Sequence, residues 1–498
     1  MTPVRNILIV GGGTAGWMSA ALLNRFLPPA QCAITLVESA DIGTIGVGEA
    51  TVPPLAAYLK AIGADEAQCM RACHASYKLG IKFLGWHPAH PAVWHPFGPV
   101  GGTIDRLPLF HHWLRALREG RLREPFQAWS LQATIGELQR APRWPERGSE
   151  VTERGGYAYH LDAVAFAGYL AQLAQARGVR RVVDTVGAVA LDERGFVRHV
   201  QTAAHGKLAA DLFIDCSGFA GLIAERTLQE PWESWSDVLL CDRALALPQP
   251  GGQDMPPYTR ASALSAGWEW RIPLSHRVGS GYVYSSRFLD DDAAARELAA
   301  HNGLDPAALE PRRLRMRIGR RRNFWVRNCV AIGLAAGFLE PLESTGIYLI
   351  QKGAELLLEC FPDVGFDEGL AARYNARVAR EFEEVRDFVL LHYLLNGRSE
   401  PFWRASREVA LPASLTEALA LYDATGAPGW DERPLFGETS FHAVAAGFGR
   451  LPRRVHAMSG YSDASKVDAI LAQMRAQQLA LAQSLPAHGA YLRALHAP

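Results

Sequence analysis

Gly11-Gly12-Gly13-Thr14-Ala15-Gly16, near the start of the chain, has the spacing to hold a pyrophosphate. In such a run Gly11 permits a tight turn, Gly13 lets backbone approach the phosphates, and Gly16 lets a helix pack closely on a strand. The first amides of the helix opened by this run supply donors and a favourable dipole. Glu38 ends the next apolar run, where a carboxylate can accept hydrogen bonds from ribose hydroxyls. Two later turns of small residues, Asp215-Cys-Ser-Gly218 and Ala331-Ile-Gly333-Leu-Ala-Ala-Gly337, suit close approach by the far half of a larger dinucleotide. That pattern favours FAD over NAD. No metal site is expected: His87 and His90 form an HxxH without a supporting carboxylate, and Cys69 and Cys73 form a lone CxxxC.

These residues need particular elements to position them. A strand at Arg5–Val10, a helix at Thr14–Phe26 and a strand at Ala33–Glu38 give the βαβ unit that the glycines require. A helix is predicted over 162–177, with strands near 180–190 and 196–202 and a further strand running into Asp215. Strong alternation over 238–290 predicts antiparallel strands, and another strand ends near Val330–Gly333. From about 347 onward the chain reads as helical, at 347–361, 368–396 and 463–484. Residues 87–108, rich in Pro, Gly, His and Trp, read as an ordered loop, and 142–156 as a surface connection. The expected division is a cofactor module of residues 1–110 and 155–350 interleaved with a mainly helical substrate module of 111–154 and 351–498.

The 498 residues are 49% hydrophobic and 20% charged, enough for a buried core and unlike a disordered chain. Lys+Arg and Asp+Glu are both 51, which argues against a nucleic-acid binder and gives no support for an anionic membrane surface. Seven scattered cysteines suggest reduced thiols and a cytoplasmic protein. The uncharged stretch Ile7 to Leu23 superficially resembles a signal-peptide core, but its glycines and its end at Asn24-Arg25 read as the start of the fold.

Several distant motifs now fall together: GGGTAGW at 11–17, GVGEATVP at 46–53, IKFLGW at 81–86, LFIDCSG at 212–218, WEWRIP at 268–273 and FLEPLESTGIY at 338–348. Through them the chain resembles the flavin-dependent tryptophan halogenase family over most of its length. The resemblance implies an α/β fold: a Rossmann-type FAD domain with a mixed sheet, like that of GR2-type monooxygenases, plus a mainly helical substrate domain. It also implies a two-component enzyme. A separate flavin reductase would supply FADH2, and O2 would drive oxidation of chloride or bromide to hypohalous acid. The oxidant would travel through a tunnel to a lysine beside an aromatic substrate.

Lys82, in IKFLGW, matches the family's lysine; Lys78, one strand-face repeat or one helical turn away, is the rival that spacing leaves open. Glu343 matches a catalytic carboxylate, which would orient the oxidant or accept the proton lost from the ring. The backbone amides of Thr345 and Gly346, opening the next helix, would bind halide. Gly48, Glu49, Ala50, Gly333 and Leu334 join Gly11, Gly13, Thr14, Ala15, Gly16 and Glu38 as implied FAD contacts. His95 and Phe97 match a loop lining the substrate pocket, where Phe97 would stack on an indole. Trp268 and Trp270 match an element that keeps organic substrate from the flavin and so blocks ordinary monooxygenation.

The chain departs from the tryptophan specialists at 437–447, which is shorter than their aromatic C-terminal lid. Phe441 and His442 stand where tyrosines are expected. The expectation is an open pocket for an indole-type substrate, bromide preferred, and substitution at the electron-rich C3. A one-component NADPH-dependent monooxygenase shares the FAD motifs but leaves WEWRIP, Lys82 and Glu343 without a purpose. A flavin-binding protein with a decayed site is the non-enzymatic rival.

Overall fold

The computed structural model describes residues 2–41, 48–144, 156–251, 255–305, 310–430 and 435–497. Gly46 and Val47 of GVGEATVP, and residues 145–155 of the expected surface connection, lie outside these. The chain forms two units, each gathered from three segments.

The first unit comprises Met1–Ala75, Leu161–Ser236 and Met316–Glu383. Short β-branched runs form its main sheet, in the order Arg180–Val183, Ala33–Glu38, Asn6–Val10, Leu212–Asp215, Cys329–Ala331 and Trp325–Val326. The first five run parallel and the last antiparallel, so the sheet is mixed. Leu8, Val10, Val37, Val182 and Phe213 merge with Val197, Val200 and Leu208 of a three-stranded meander into one core. The helix Thr14–Phe26 packs against helices Ala163–Ala176 and Gly346–Glu359.

Asp215 ends the fourth strand and shapes the loop after it. Its buried carboxylate accepts from Ser217 N and Oγ at 3.0 and 2.5 Å, and from Ile223 N and Ala224 N at 2.8 Å each. Its carbonyl accepts the Ile332 amide at 3.0 Å. The side chain thus folds its own loop, while the backbone ties the strand to the next turn.

The second unit comprises Ser76–His160, Asp237–Arg315 and Glu384–Pro498. Its centre is an eight-stranded sheet, ordered Arg312–Arg315, Arg243–Ala246, Arg277–Tyr284, Gly267–Pro273, Thr259–Leu264, Gly80–His87 and His90–Pro96, with Gln249–Pro250 beside Arg277–Tyr284. The predicted alternation over 238–290 is present here. The helix Glu438–Gly447 packs on strand His90–Pro96, and a methyl at Gly447 would overlap Val93.

Two expectations change. Residues 90–96 are an edge strand, not a loop, and prolines at 91 and 96 are compatible with that edge. The division of the chain also differs: 76–110 and 237–315 belong with the helices of the second unit, not with the flavin module. Pairing of Thr259–Leu264 with Gly80–His87, far apart in sequence, draws them together.

This packing has two testable consequences. Asp215→Ala strands buried amides and lowers stability by at least about 3 kcal/mol in urea unfolding, with Asp215→Asn losing less; equal midpoints would contradict the role given to the carboxylate. Burial pushes His442 down to about 3 and His488 down to about 4. Below about 6.5 the unfolded chain takes up protons that these folded imidazoles refuse, so stability falls as pH drops toward 4. His442→Gln flattens that decline, so its urea midpoint draws closer to the parent's between pH 7 and pH 4.

Candidate active site

In the first unit, the glycine turn after Asn6–Val10 and the turns after Leu212–Asp215 and Cys329–Ala331 lie at the carboxyl ends of parallel strands. A Cβ on Gly11, which has φ of 114°, would overlap the Cys216 carbonyl, and one on Gly16 would overlap the Gly11 carbonyl. A Cβ on Gly12 would strike the carboxylate of Glu38. Gly13 faces open space and precedes Thr14–Phe26 without a side-chain cap. The first amides of that helix are therefore available to an anion, and Thr14 and Ala15 carry two of them. Glu38 is held by Arg181 Nε at 2.5 Å, one oxygen toward the arginine and the other over Gly12. Gly333 turns at φ 73° against the Ala15 methyl, with Leu334 half-buried beside it. Gly48 has φ of 74°, Ala50 is buried, and burial raises the Glu49 carboxyl to about 7. Small residues and open amides lie where a dinucleotide requires them, so the site fits FAD.

Sequence reasoning missed Arg321, a buried arginine that braces the late turn. Its Nε donates to the Ala335 carbonyl at 3.1 Å and its Nη1 to the Glu230 carbonyl at 3.0 Å, and Glu225 pairs with the guanidinium. The arginine-rich run 312–322 was the available signal.

In the same unit, Pro341–Glu343 form a short 3-10 turn and Ser344 takes φ of 61°, uncommon for a residue with a Cβ. Glu343 is completely buried. Thr345 precedes helix Gly346–Glu359 without a side-chain cap, and no acidic residue lies in the first turn. Gly346 is exposed, with nothing within 4 Å of where a Cβ would stand. This helix start is chemically suited to a halide.

In the second unit, the two lysines differ sharply. Lys82 Nζ is 2.7 Å from Glu137 Oε1, and the two side chains are 16% and 51% exposed. Trp94 Nε1 donates to the same carboxylate at 2.6 Å, and the ammonium lies 5.7 Å from the Trp94 ring and 5.6 Å from that of Tyr258. This is a part-exposed ion pair under aromatic cover. Lys78 is 0% exposed, on a strand Ser76–Lys78 that pairs with Ala158–Leu161. Its ammonium lies 4.8 Å from the Phe97 ring, and His95 meets Phe97 edge-on at 6.0 Å. His95 Nε2 is 3.0 Å from Ser440 Oγ.

Phe441 and His442 are interior residues of helix Glu438–Gly447. Phe441 packs on Tyr422 and Trp430 at 5.0 and 4.8 Å. His442 stacks on Phe110 at 3.7 Å and sits 2.6 Å from the Gly426 carbonyl. Both side chains are buried against rings of their own unit. Trp268 and Trp270 share one face of strand Gly267–Pro273, their rings 6.4 Å apart, and a Cβ on Gly281 would overlap Trp270.

Comparison with known proteins agrees with this chemistry. The tryptophan halogenase family model matches residues 6–463. The chain is 37% identical to tryptophan 7-halogenase RebH of Lentzea aerocolonigenes and 36% identical to tryptophan 6-halogenase ThaL of Streptomyces albogriseolus, covering 99% of each chain. Among solved structures, BrvH, a flavin-dependent halogenase from Brevundimonas sp. BAL3, matches with a TM-score of 0.92 at 40% identity, covering 99% of both chains. A flavin-dependent halogenase from Xanthomonas campestris matches with 0.93 at 39%, covering 99% of this chain and 98% of that one. A glycine cradle built for a dinucleotide and a match running almost end to end lead to one conclusion: the chain belongs to the tryptophan halogenase family and is a flavin-dependent halogenase.

Proposed function

We propose that this enzyme halogenates an indole-type aromatic compound, with bromide preferred, using reduced FAD from a separate reductase, and that Lys78 is its reactive amine. The observation that carries the reading is the contrast between the lysines: Lys82 is committed to Glu137, whereas Lys78 is buried beside Phe97. Reduced FAD, when bound, would activate O2, the oxidant of the halide, in the overall balance FADH2 + O2 + X− + H+ to FAD, water and hypohalous acid. The amides of Thr345 and Gly346 hold the halide. The Lys78 ammonium donates a hydrogen bond to the oxygen of hypohalous acid, which makes the halogen more electrophilic. The ring takes the halogen and releases its proton, so that Ar–H + HOX gives Ar–X and H2O. Glu343 is the carboxylate that orients the oxidant or receives that proton. Trp268 and Trp270 exclude the organic substrate from the flavin.

Phe441 and His442 support the substrate assignment by where they point. Both are engaged with their own unit, so neither anchors an amino-acid backbone. A ring held without that anchor lacks the enforced geometry needed for attack at an unreactive carbon, and substitution falls on the most electron-rich one, C3 of indole. Bromide is oxidised more readily than chloride, which favours it in a loosely enclosed site. A second reading, free tryptophan, is favoured by similarity to curated tryptophan halogenases. Those relatives act at different ring positions at nearly equal identity, so overall similarity carries little information on the site of attack.

Lys78→Ala should lower product formation by at least about 10²-fold with FAD affinity unchanged, whereas Lys82→Ala should stay within about threefold, the size of an exposed ion pair. Loss in Lys82→Ala alone would return the role to Lys82. With reductase, FAD and O2, a mixture of indole and tryptophan should yield 3-bromoindole as the main product by mass spectrometry. Chlorotryptophan substituted on the benzo ring, with indole inert, would overturn the substrate assignment, and turnover on NADPH alone would overturn the two-component reading.

A further inference from the structure

The strand that bears Lys78 is braced by a buried histidine that has no part in the halogenation chemistry itself. Ser76 lies opposite His160 and Lys78 opposite Ala158 in the antiparallel register, so all four share one face. Lys78 is the diagonal neighbour of His160, a separation that a long side chain spans. Ser76, Lys78 and His160 have no exposed surface.

The proton on this histidine can be assigned by counting. Ser76 has one hydroxyl proton, and the Pro273 carbonyl, 2.6 Å away, can only accept it. The Ser76 oxygen is then left to accept from His160 Nδ1, 3.0 Å away. With its proton on Nδ1, the ring carries a lone pair on Nε2, which accepts from the Thr259 hydroxyl at 2.9 Å. In the neutral ring both nitrogens are satisfied, Nδ1 as donor and Nε2 as acceptor. Burial, with Lys78 and His488 nearby, holds the imidazole well below its ordinary range. His488 is neutral too: its Nδ1 donates to the Met255 carbonyl at 2.5 Å and its Nε2 accepts the Tyr77 amide at 3.3 Å.

The groups in this hydrogen-bonded chain come from elements that matter. Pro273 ends the strand that carries Trp268 and Trp270, and Thr259 begins the strand beside it. Ser76 itself ties the lysine strand to the tryptophan-bearing strand, and the imidazole ties Ser76 to the strand that Thr259 begins.

We propose that His160 is a positioning residue for Lys78: locked as the Nδ1–H tautomer between Ser76 and Thr259, it holds Ser76 and the lysine strand against the strand that Thr259 begins, next to the tryptophan-bearing one, and adds no second cation to the face that Lys78 occupies. The proposal rests on the reading of Lys78 as the reactive amine. His160 acts through that lysine and touches no reacting atom itself.

The test uses the full-length protein with FAD, a reductase, bromide, indole and a soluble phenolic trap for hypobromous acid. Flavin affinity, brominated indole and brominated trap are each measured. His160→Phe keeps a planar ring and loses both hydrogen bonds; Thr259→Val removes one; His160→Gln can restore a donor and an acceptor. Expected are unchanged flavin affinity, an indole product lower by about 10²-fold in His160→Phe and roughly tenfold lower in Thr259→Val, and the missing oxidant recovered in the trap. His160→Gln should return product to within several-fold of the parent. If His160→Phe does not fold, Thr259→Val and His160→Gln carry the same comparison. A fall in melting temperature with turnover per folded molecule preserved would make His160 merely structural and overturn the proposal. So would parent-like product in Thr259→Val and His160→Phe while Lys78→Ala is inactive. Full product in Lys78→Ala would overturn the lysine reading, and this proposal with it.

Discussion

Three turns of the flavin-binding unit lean on one another, and the site depends on that closure. Gly11 lies against the Cys216 carbonyl, the Asp215 carbonyl takes the Ile332 amide, and Gly333 lies against the Ala15 methyl. Side-chain atoms at Gly11 or Gly333 would push these turns apart. Parallel strands make the arrangement possible, because their carboxyl ends all emerge at one edge of the sheet. The Asp215 carboxylate and the Arg321 guanidinium then hold the longer loops in place, replacing lost water contacts with directed hydrogen bonds.

The second unit is governed by how a sheet disposes of charge. Strand Gly267–Pro273 turns Trp268 and Trp270 to one face and Glu269 to the other. A one-residue slip would exchange the faces, placing the carboxylate where the indoles pack and the indoles among its charged partners. Glu269 is fully buried, its carboxyl held below the usual range by His301 at 3.2 Å, a hydrogen bond from Asn302 and the charge of Arg260 at 3.5 Å, with Arg271 at 3.8 Å. The charges at Glu269 and the neutral hydrogen-bonded chain through His160 are two solutions to one problem, the cost of burying polar atoms beside large aromatic rings.

The local patterns were readable and the long-range ones were not. The helix Thr14–Phe26 and the strand Ala33–Glu38 were expected with these same ends, since glycine punctuation and an unbroken apolar run mark both. The strand His90–Pro96 was hidden, because prolines and histidines look like a loop until a partner strand supplies the hydrogen bonds. Lys82 and Lys78 share a period and a residue type, so only their surroundings separate an ion pair on Glu137 from a wholly buried amine. Phe441 and His442 were read as pocket walls from their place in the chain, and only the folded helix shows which rings they pack on.

What the sequence determined by itself was the kind of chemistry: close-spaced glycines before a helix, small residues at later strand ends and WEWRIP restrict the backbone locally, and local restrictions survive in one dimension. The tertiary structure decided which side chains are out of water and which share a face. Those properties come from pairing residues as distant as Ser76 with His160, or Ile81 with Thr259. Burial sets the protonation and reach of an amine or an imidazole, and burial is fixed by neighbours that the linear order does not name.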